Sequence, residues 1–173
     1  DLYEPGSTFK IIPVGAALNE KILRTDDIID CSVSTYQKGK KRLRLPKDHH
    51  PLGKISLHQV VQKSSSRGAA QVGLRLGPER LYSYCRAFGF GERTNLGLLG
   101  ERKGTLHKPS NWDGLTITRL PMGHAVSVTP MQVHGSMCAV ADGGIMMRPS
   151  LIRRVFDEES KTVIPFKPRS VRR

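Results

Sequence analysis

The stretch Glu4-Pro5-Gly6-Ser7-Thr8-Phe9-Lys10 decides how this chain is read. Pro5-Gly6 interrupts any preceding regular structure. Phe9, Ile11, Ile12, Val14, Ala16, Ala17 and Leu18 then recur at helical spacing. The pattern predicts a helix from Ser7 to Asn19 or Lys21, with Pro13 as the point where it kinks. On such a helix Ser7 and Lys10 share one face, a turn apart. A serine hydroxyl is a weak nucleophile at neutral pH and needs a base beside it. A lysine can be that base if its surroundings keep it neutral. Unpaired N–H groups at the helix N-terminus favour negative charge developing near Ser7. Ser7 is also a good helix N-cap, so the tetrad by itself leaves catalysis and capping both open.

The rest of the chain narrows the choice. Its 173 residues suffice for one core, and 38% hydrophobic with 25% charged residues reads as globular. No stretch approaches the roughly 18–20 continuous apolar residues of a membrane span, and no signal peptide is present. The chain opens at Asp1 directly on its most informative motif, so it reads as a piece of something longer. Its 28 basic against 15 acidic residues give a net charge of +13. The excess sits in Lys38-Gly39-Lys40-Lys41-Arg42-Leu43-Arg44 and in a basic tail over 167–173. Such charge suits nucleic acid, anionic lipid or an acidic wall polymer; a solvated loop and a ragged tail is the simpler reading. Aromatic residues do not interleave with these clusters, and no nucleic-acid-binding signature appears, so no nucleic acid partner is expected.

Cys31, Cys85 and Cys138 are odd in number, far apart and without a C-x-x-C pair, which argues against a disulfide framework or a zinc site. Cys85 and Cys138 read as small core residues. His49 and His50, beside Asp48, lack the spacing of a helical metal pair and read as structural or surface residues. No metal and no cofactor is implied.

Further along, residues 22–54 read as irregular or short-strand structure. A second helix begins near Ser56, a third spans about Ala69 to Leu76, and a fourth Pro78 to Phe88, before a glycine-rich loop over 92–114 in which Trp112 is a packing anchor. Thr129 caps a strong helix to Ala141, with Pro130 in its first turn and Met131, Val133, Met137, Cys138 and Val140 as apolar surface. Two short strands flank the acidic turn Asp157-Glu158-Glu159.

Taken together, these stretches resemble a known family. Glu4 to Lys10 looks like the S-x-x-K motif of the penicillin-binding protein transpeptidases, whose signature also includes an S-x-N element and a K-T-G. Lys63-Ser64-Ser65-Ser66-Arg67-Gly68-Ala69-Ala70 resembles the second element, with Ser64 as its serine and Ser66 where asparagine is expected. Phe88-Gly89-Phe90-Gly91, then Leu99-Gly100-Glu101 and Gly104, resemble the family's loop after the second motif, while Met122 to Gln132 and Ala141-Asp142-Gly143-Gly144 resemble the helix and turn of the class B members, the monofunctional enzymes of division and elongation. Lys161-Thr162-Val163 lacks the K-T-G glycine that lets a strand edge approach substrate. By the resemblance, the third motif would lie beyond Arg173.

The resemblance implies an α/β (α+β) fold of the penicillin-binding protein transpeptidase and serine β-lactamase type. Residues 1–173 would form a partial transpeptidase domain, from the S-x-x-K motif to a point before the K-T-G strand, carrying mainly the helical part. Apolar surface would then be exposed and stability poor. It further implies a peptidoglycan D,D-transpeptidase that crosslinks stem peptides through a serine acyl-enzyme. Ser7 would be the nucleophile, Lys10 its base, Ser64 a proton relay and Ser66 a substrate-holding residue. The implied partners are stem peptides ending in D-Ala-D-Ala, β-lactam antibiotics, and a membrane glycosyltransferase of the FtsW/RodA type. The implied location is the outer, periplasmic face of the bacterial cell membrane, through an N-terminal anchor outside this chain. The alternative is a catalytically degenerate relative that acts as a scaffold of the division or elongation machinery. A hydrolytic relative and a basic anionic-polymer binder fit the motifs less well.

Overall fold

A computed structural model describes residues 1–159 and 161–172. Gly6–Lys10 form a 3₁₀ turn that runs directly into α1 (Ile11–Asn19). Pro13, in the first turn of α1, has no N–H to bond back to Phe9, and the tighter winding lies just before it. The predicted helix is thus present, but in two windings.

Three short strands follow: β1 (Ile28–Asp30), β2 (Thr35–Lys38) and β3 (Lys41–Arg44). β2 and β3 pair antiparallel, with Lys38 opposite Lys41. Gly39, at φ +59°, takes the first position of the two-residue turn. The basic run is therefore the arm of a hairpin rather than the loop expected. Next come β4 (Lys54–Ser56), which pairs with β1, and the helices α2 (Leu57–Gln62), α3 (Ser66–Leu76) and α4 (Pro78–Ala87). Ser56 caps α2 through a reciprocal pair with Gln59, and Thr129 does the same with Gln132 for α6. Each such cap stabilises by about 1 kcal/mol. After the short α5 (Thr116–Arg119) and α6 (Pro130–Ala141) come β5 (Met146–Met147), β6 (Arg154–Phe156), β7 (Val163–Pro165) and β8 (Ser170–Arg172). Among the described residues the strands form four antiparallel pairs, β1–β4, β2–β3, β5–β8 and β6–β7. Helices dominate, as expected.

α1, α3 and α4 pack on one another around a core that includes Phe9, Ile12, Ile29, Leu57, Val60, Val72, Leu81, Phe90 and Leu120. Each large apolar side chain buried there contributes about 1.5–3 kcal/mol. Phe9 and Phe90 meet with ring centroids 4.8 Å apart. Gly73 lets α3 pass Pro121: a Cβ there would stand 2.2 Å from the Pro121 ring. The residue just before Lys10 is thus anchored in the core, and the helix carrying Ser66 packs beside it.

Two expectations are corrected. Cys85 is buried but Cys138 is exposed. The face that α6 turns inward carries Gln132, Ser136 and Ala139, because the Gln132 amide is bonded to the carbonyls of Glu92 (2.7 Å) and Lys103 (2.8 Å). A buried polar group so satisfied is tolerated in the core, and Cys138 lies off that face. The basic tail is not ragged over its described part: β8 pairs with β5, and Arg172 bonds the Arg86 carbonyl (2.9 Å) and forms an ion pair with Glu92. Arg173 lies outside the described residues. The β6–β7 hairpin leaves Val155, Phe156, Val163 and Ile164 exposed, in keeping with the apolar surface expected. Among the described residues no helix is long and apolar enough to cross a membrane.

Candidate active site

The chain around Ser7 is tied down on both sides. Tyr3 exchanges two backbone hydrogen bonds with Val128 (3.0 and 2.9 Å), and the Gly6 amide donates to the Gly123 carbonyl (3.1 Å). The Glu4 carboxylate holds the His124 ring (2.8 Å) and accepts from the Ala125 amide (2.9 Å). These contacts, the His124 hydrogen bond foremost, hold the Glu4 carboxyl below the usual carboxylate range. The 3₁₀ turn is preceded by Pro5 and has no side-chain cap. Ser7 is therefore not an N-cap, and its exposed hydroxyl is available to Lys10.

Lys10 is 2% exposed. Its Nζ donates to Ser7 Oγ (3.1 Å), to Ser64 Oγ (3.0 Å), to Ser66 Oγ (3.2 Å) and, at short range, to the Ser64 carbonyl oxygen. The three serines singled out from the sequence thus converge on the one lysine nitrogen. An ammonium has three hydrogens for these four oxygens. Burial pushes the Lys10 pKa down, and the carboxylate of Asp48 opposes that shift. In the neutral amine, one N–H serves the Ser64 carbonyl and a second serves a hydroxyl. The lone pair is then free to accept a hydroxyl proton. The arrangement is an exposed serine over a buried amine of lowered basicity, the setting of a base-activated nucleophile.

Ser64 delivers two of its oxygens to Lys10 from a left-handed conformation, φ +54°, at the turn between α2 and α3. Non-glycine residues seldom adopt it, and such strain gathers at functional sites. The turn is fixed by Ser64 N–H to the Val61 carbonyl (3.0 Å) and Ser65 N–H to the Val60 carbonyl (2.9 Å). Ser65, buried, caps α3 by accepting from the Gly68 amide (2.8 Å). Behind it stand residues to which the sequence gave no role. Asp48 accepts from the Ser65 hydroxyl (2.8 Å) and the Arg67 amide (3.0 Å). The Arg67 guanidinium holds the carbonyls of Pro46 (3.0 Å) and Cys31 (2.9 Å). The neighbours of Asp48, His49 and His50, are exposed. Lys161-Thr162-Val163 leads into β7, where Val163 pairs with Phe156 of the exposed hairpin.

With this geometry in place, comparison with known proteins is specific. A family model described as the penicillin binding protein transpeptidase domain matches residues 1–172. The chain is 30% identical over 172 residues to the penicillin-binding protein PbpB of Mycolicibacterium smegmatis, covering 98% of this chain and 26% of that protein. It is 30% identical over 155 residues to the peptidoglycan D,D-transpeptidase FtsI of Escherichia coli, covering 90% of this chain and 25% of that one. Among solved structures, penicillin binding protein 3 from Mycobacterium tuberculosis in complex with aztreonam superposes with a TM-score of 0.85 at 29% identity. That match covers 99% of this chain and 38% of that one. The chain thus spans about a quarter of the length of the curated relatives it matches.

Proposed function

This chain belongs to the penicillin-binding protein transpeptidase domain family, and from that premise we propose that its protein is a class B peptidoglycan D,D-transpeptidase that works through a serine acyl-enzyme. The observation that carries the reading is the convergence of Ser7, Ser64 and Ser66 on the buried Lys10 amine. The relative named D,D-transpeptidase FtsI and the aztreonam-bound neighbour support the substrate class.

Neutral Lys10 takes the Ser7 proton as Oγ attacks the carbonyl carbon of the penultimate D-Ala in a stem peptide. The tetrahedral adduct collapses, the C–N bond to the terminal D-Ala breaks, and the leaving amine takes a proton relayed from Lys10 through Ser64. Ser64 Oγ is 3.0 Å from Nζ, a distance suited to this relay. The acyl group remains on Ser7 as an ester. An amine of a second stem peptide then attacks the ester, gives its surplus proton to Lys10, and leaves with the acyl group as the crosslink; Ser7 Oγ recovers its proton. A β-lactam enters the same way, but its leaving amine stays tethered to the acyl group.

Ser66 occupies the substrate-holding position. Its hydroxyl keeps the contact to the lysine but cannot present both a carbonyl and an NH₂ group to a peptide backbone, as an asparagine amide can. This departure favours a second reading, a catalytically degenerate scaffold of the division or elongation machinery. The setting that goes with the first reading is the outer face of the cell membrane, beside a membrane glycosyltransferase of the FtsW/RodA type.

Intact-mass measurement after incubation with benzylpenicillin separates the readings. A stoichiometric adduct on the chain that disappears in Ser7→Ala is expected of the enzyme. No adduct on a folded chain would mean that the site, as these residues form it, is incomplete or dead.

A further inference from the structure

We propose that Asp48 is a positioning residue of this site: from outside the lysine's shell it locks the Ser64–Ser66 turn against Lys10. The inference rests on the transpeptidase reading for its catalytic consequence but not for its geometry.

The case begins with the demands on the turn. Ser64 presents both its carbonyl and its hydroxyl to Nζ only while it stays at φ +54°, a conformation its own side chain disfavours. Something outside the residue must hold it. The N-terminal side is held by the end of α2, through the Val60 and Val61 carbonyls. The C-terminal side is held by Asp48, one carboxylate oxygen on the Ser65 hydroxyl and the other on the Arg67 amide. Ser65 and Arg67 flank Ser66, so the carboxylate spans the segment that supplies the third serine hydroxyl to the amine.

Asp48 does more than cap a helix. Ser65 already caps α3 through Gly68, and in doing so its oxygen is used as an acceptor. Its proton needs a partner of its own; the Cys31 thiol, 3.3 Å away, is a weak one, and Asp48 is the strong one. The loop bearing Asp48 is itself clamped, since Arg67 donates through its guanidinium to Pro46, two residues earlier, and to Cys31. Arg67 and Asp48 thus hold each other's segments, by side chain in one direction and by backbone in the other.

The carboxylate has a second consequence. Among the described residues, the groups that touch Lys10 Nζ are three hydroxyls and a carbonyl, and the Asp48 carboxylate acts on it through space. By favouring the ammonium it partly offsets the desolvation that lowers the Lys10 pKa. One residue therefore helps to hold the turn that carries the Ser64 and Ser66 oxygens and biases the lysine toward its charged form.

The test uses Asp48→Asn and Asp48→Ala in the whole chain, with two readouts. The first is the Lys10 titration midpoint, followed by NMR of ¹³C-lysine. The second is the rate of benzylpenicillin adduct formation against pH. Asp48→Asn keeps an acceptor for the Arg67 amide and removes the charge. Its Lys10 midpoint should fall, and the rising limb of the acylation profile should move to lower pH with it. Asp48→Ala frees the turn, and acylation should drop by about tenfold or more at every pH, as expected when reacting groups are displaced by about an ångström. Wild-type midpoints and wild-type acylation in both variants would overturn the proposal. If Asp48→Ala unfolds, Asp48→Asn decides, because its single carbonyl cannot accept from both the Ser65 hydroxyl and the Arg67 amide, and exchange at the Ser65 and Arg67 amides should quicken. If the parent chain forms no adduct, the enzymatic reading of this chain fails, and unchanged hydrogen-exchange protection of the Ser65 and Arg67 amides in the Asp48 variants remains the result that sinks the inference.

Discussion

Replacing Gly123 by alanine should damage the site from the far end of the sequence. Gly123 sits at φ +81°, and a Cβ built there would lie 2.1 Å from the Gly6 carbonyl oxygen and 2.6 Å from the Gly6 nitrogen. Both are backbone atoms one residue from Ser7, and neither can rotate away as a side chain would. The left-handed backbone alone costs a non-glycine residue about 1–2 kcal/mol, and forcing an extra methyl into a closed contact about 1–3 kcal/mol. The sum, about 2–5 kcal/mol, is a large part of the roughly 5–15 kcal/mol that a domain has. The strain is relieved by pushing Gly6 away, which breaks its hydrogen bond to the Gly123 carbonyl and carries Ser7 off the lysine. Urea denaturation gives the stability loss, read at constant slope, and benzylpenicillin acylation gives the displacement. Gly15→Ala and Gly135→Ala are the controls. Both glycines lie in helices with open space at the Cβ position, and both changes should stabilise by about 0.5–1 kcal/mol. A Gly123→Ala chain as stable as these controls would refute the close-approach argument.

Two further outcomes follow from the same contacts. Lys10 gives up its proton in the folded chain below the ordinary value of 10.5, so between those two pH values the unfolded chain binds more protons. Stability should therefore rise with pH through that window, and the burial penalty should be fully present beneath it; denaturation curves from pH 7 to 10 should show a shallower slope for Lys10→Met, and an identical slope would count against a buried titrating amine. Arg172→Ala removes the tail's hold on Glu92 and on the Arg86 carbonyl. At this half-exposed place the loss should be about 1 kcal/mol, with faster hydrogen exchange confined to β5, β8 and the end of α4; protection unchanged there would mean that strand pairing alone holds the tail.

The parts of the fold that were legible in the sequence are those written within four residues. The Ser7–Lys10 spacing fixes a shared face whether the winding is 3₁₀ or α, so the change of winding before Pro13 did not spoil the reading. Ser56 and Thr129 announce their helices because each meets a glutamine three residues on. The misreadings came where one local pattern admits two tertiary outcomes. On α6 the apolar residues suggested an inward face, yet Gln132 is buried there with Ser136 and Ala139, because the carbonyls of residues 92 and 103 accept from its amide. No window on the helix contains those partners. The tail looked disordered by charge, yet two arginines, Arg86 and Arg172, share Glu92.

Asp48 shows the same limit inside the site. In the sequence it is an acidic residue in a charged loop, next to two histidines that attract more notice. Its importance comes from contacts 17 and 19 residues away, and these exist only after β4 and α2 have turned the chain back on itself. Glu4 is a sharper case, since its partners His124 and Ala125 lie 120 and 121 residues on. The reacting groups of such a site need particular side chains at short spacing, which a motif can record. The groups that aim them need only an acceptor in the right place, and the fold can deliver that from any part of the chain. A substitution such as serine for asparagine at position 66 is therefore best judged against the turn that holds it. The Ser66 hydroxyl still reaches Lys10 at 3.2 Å because Ser65 and Arg67 are pinned on either side. Under the proposed function, the cost of the serine falls on what position 66 can offer a substrate, since its contact to the lysine is in place.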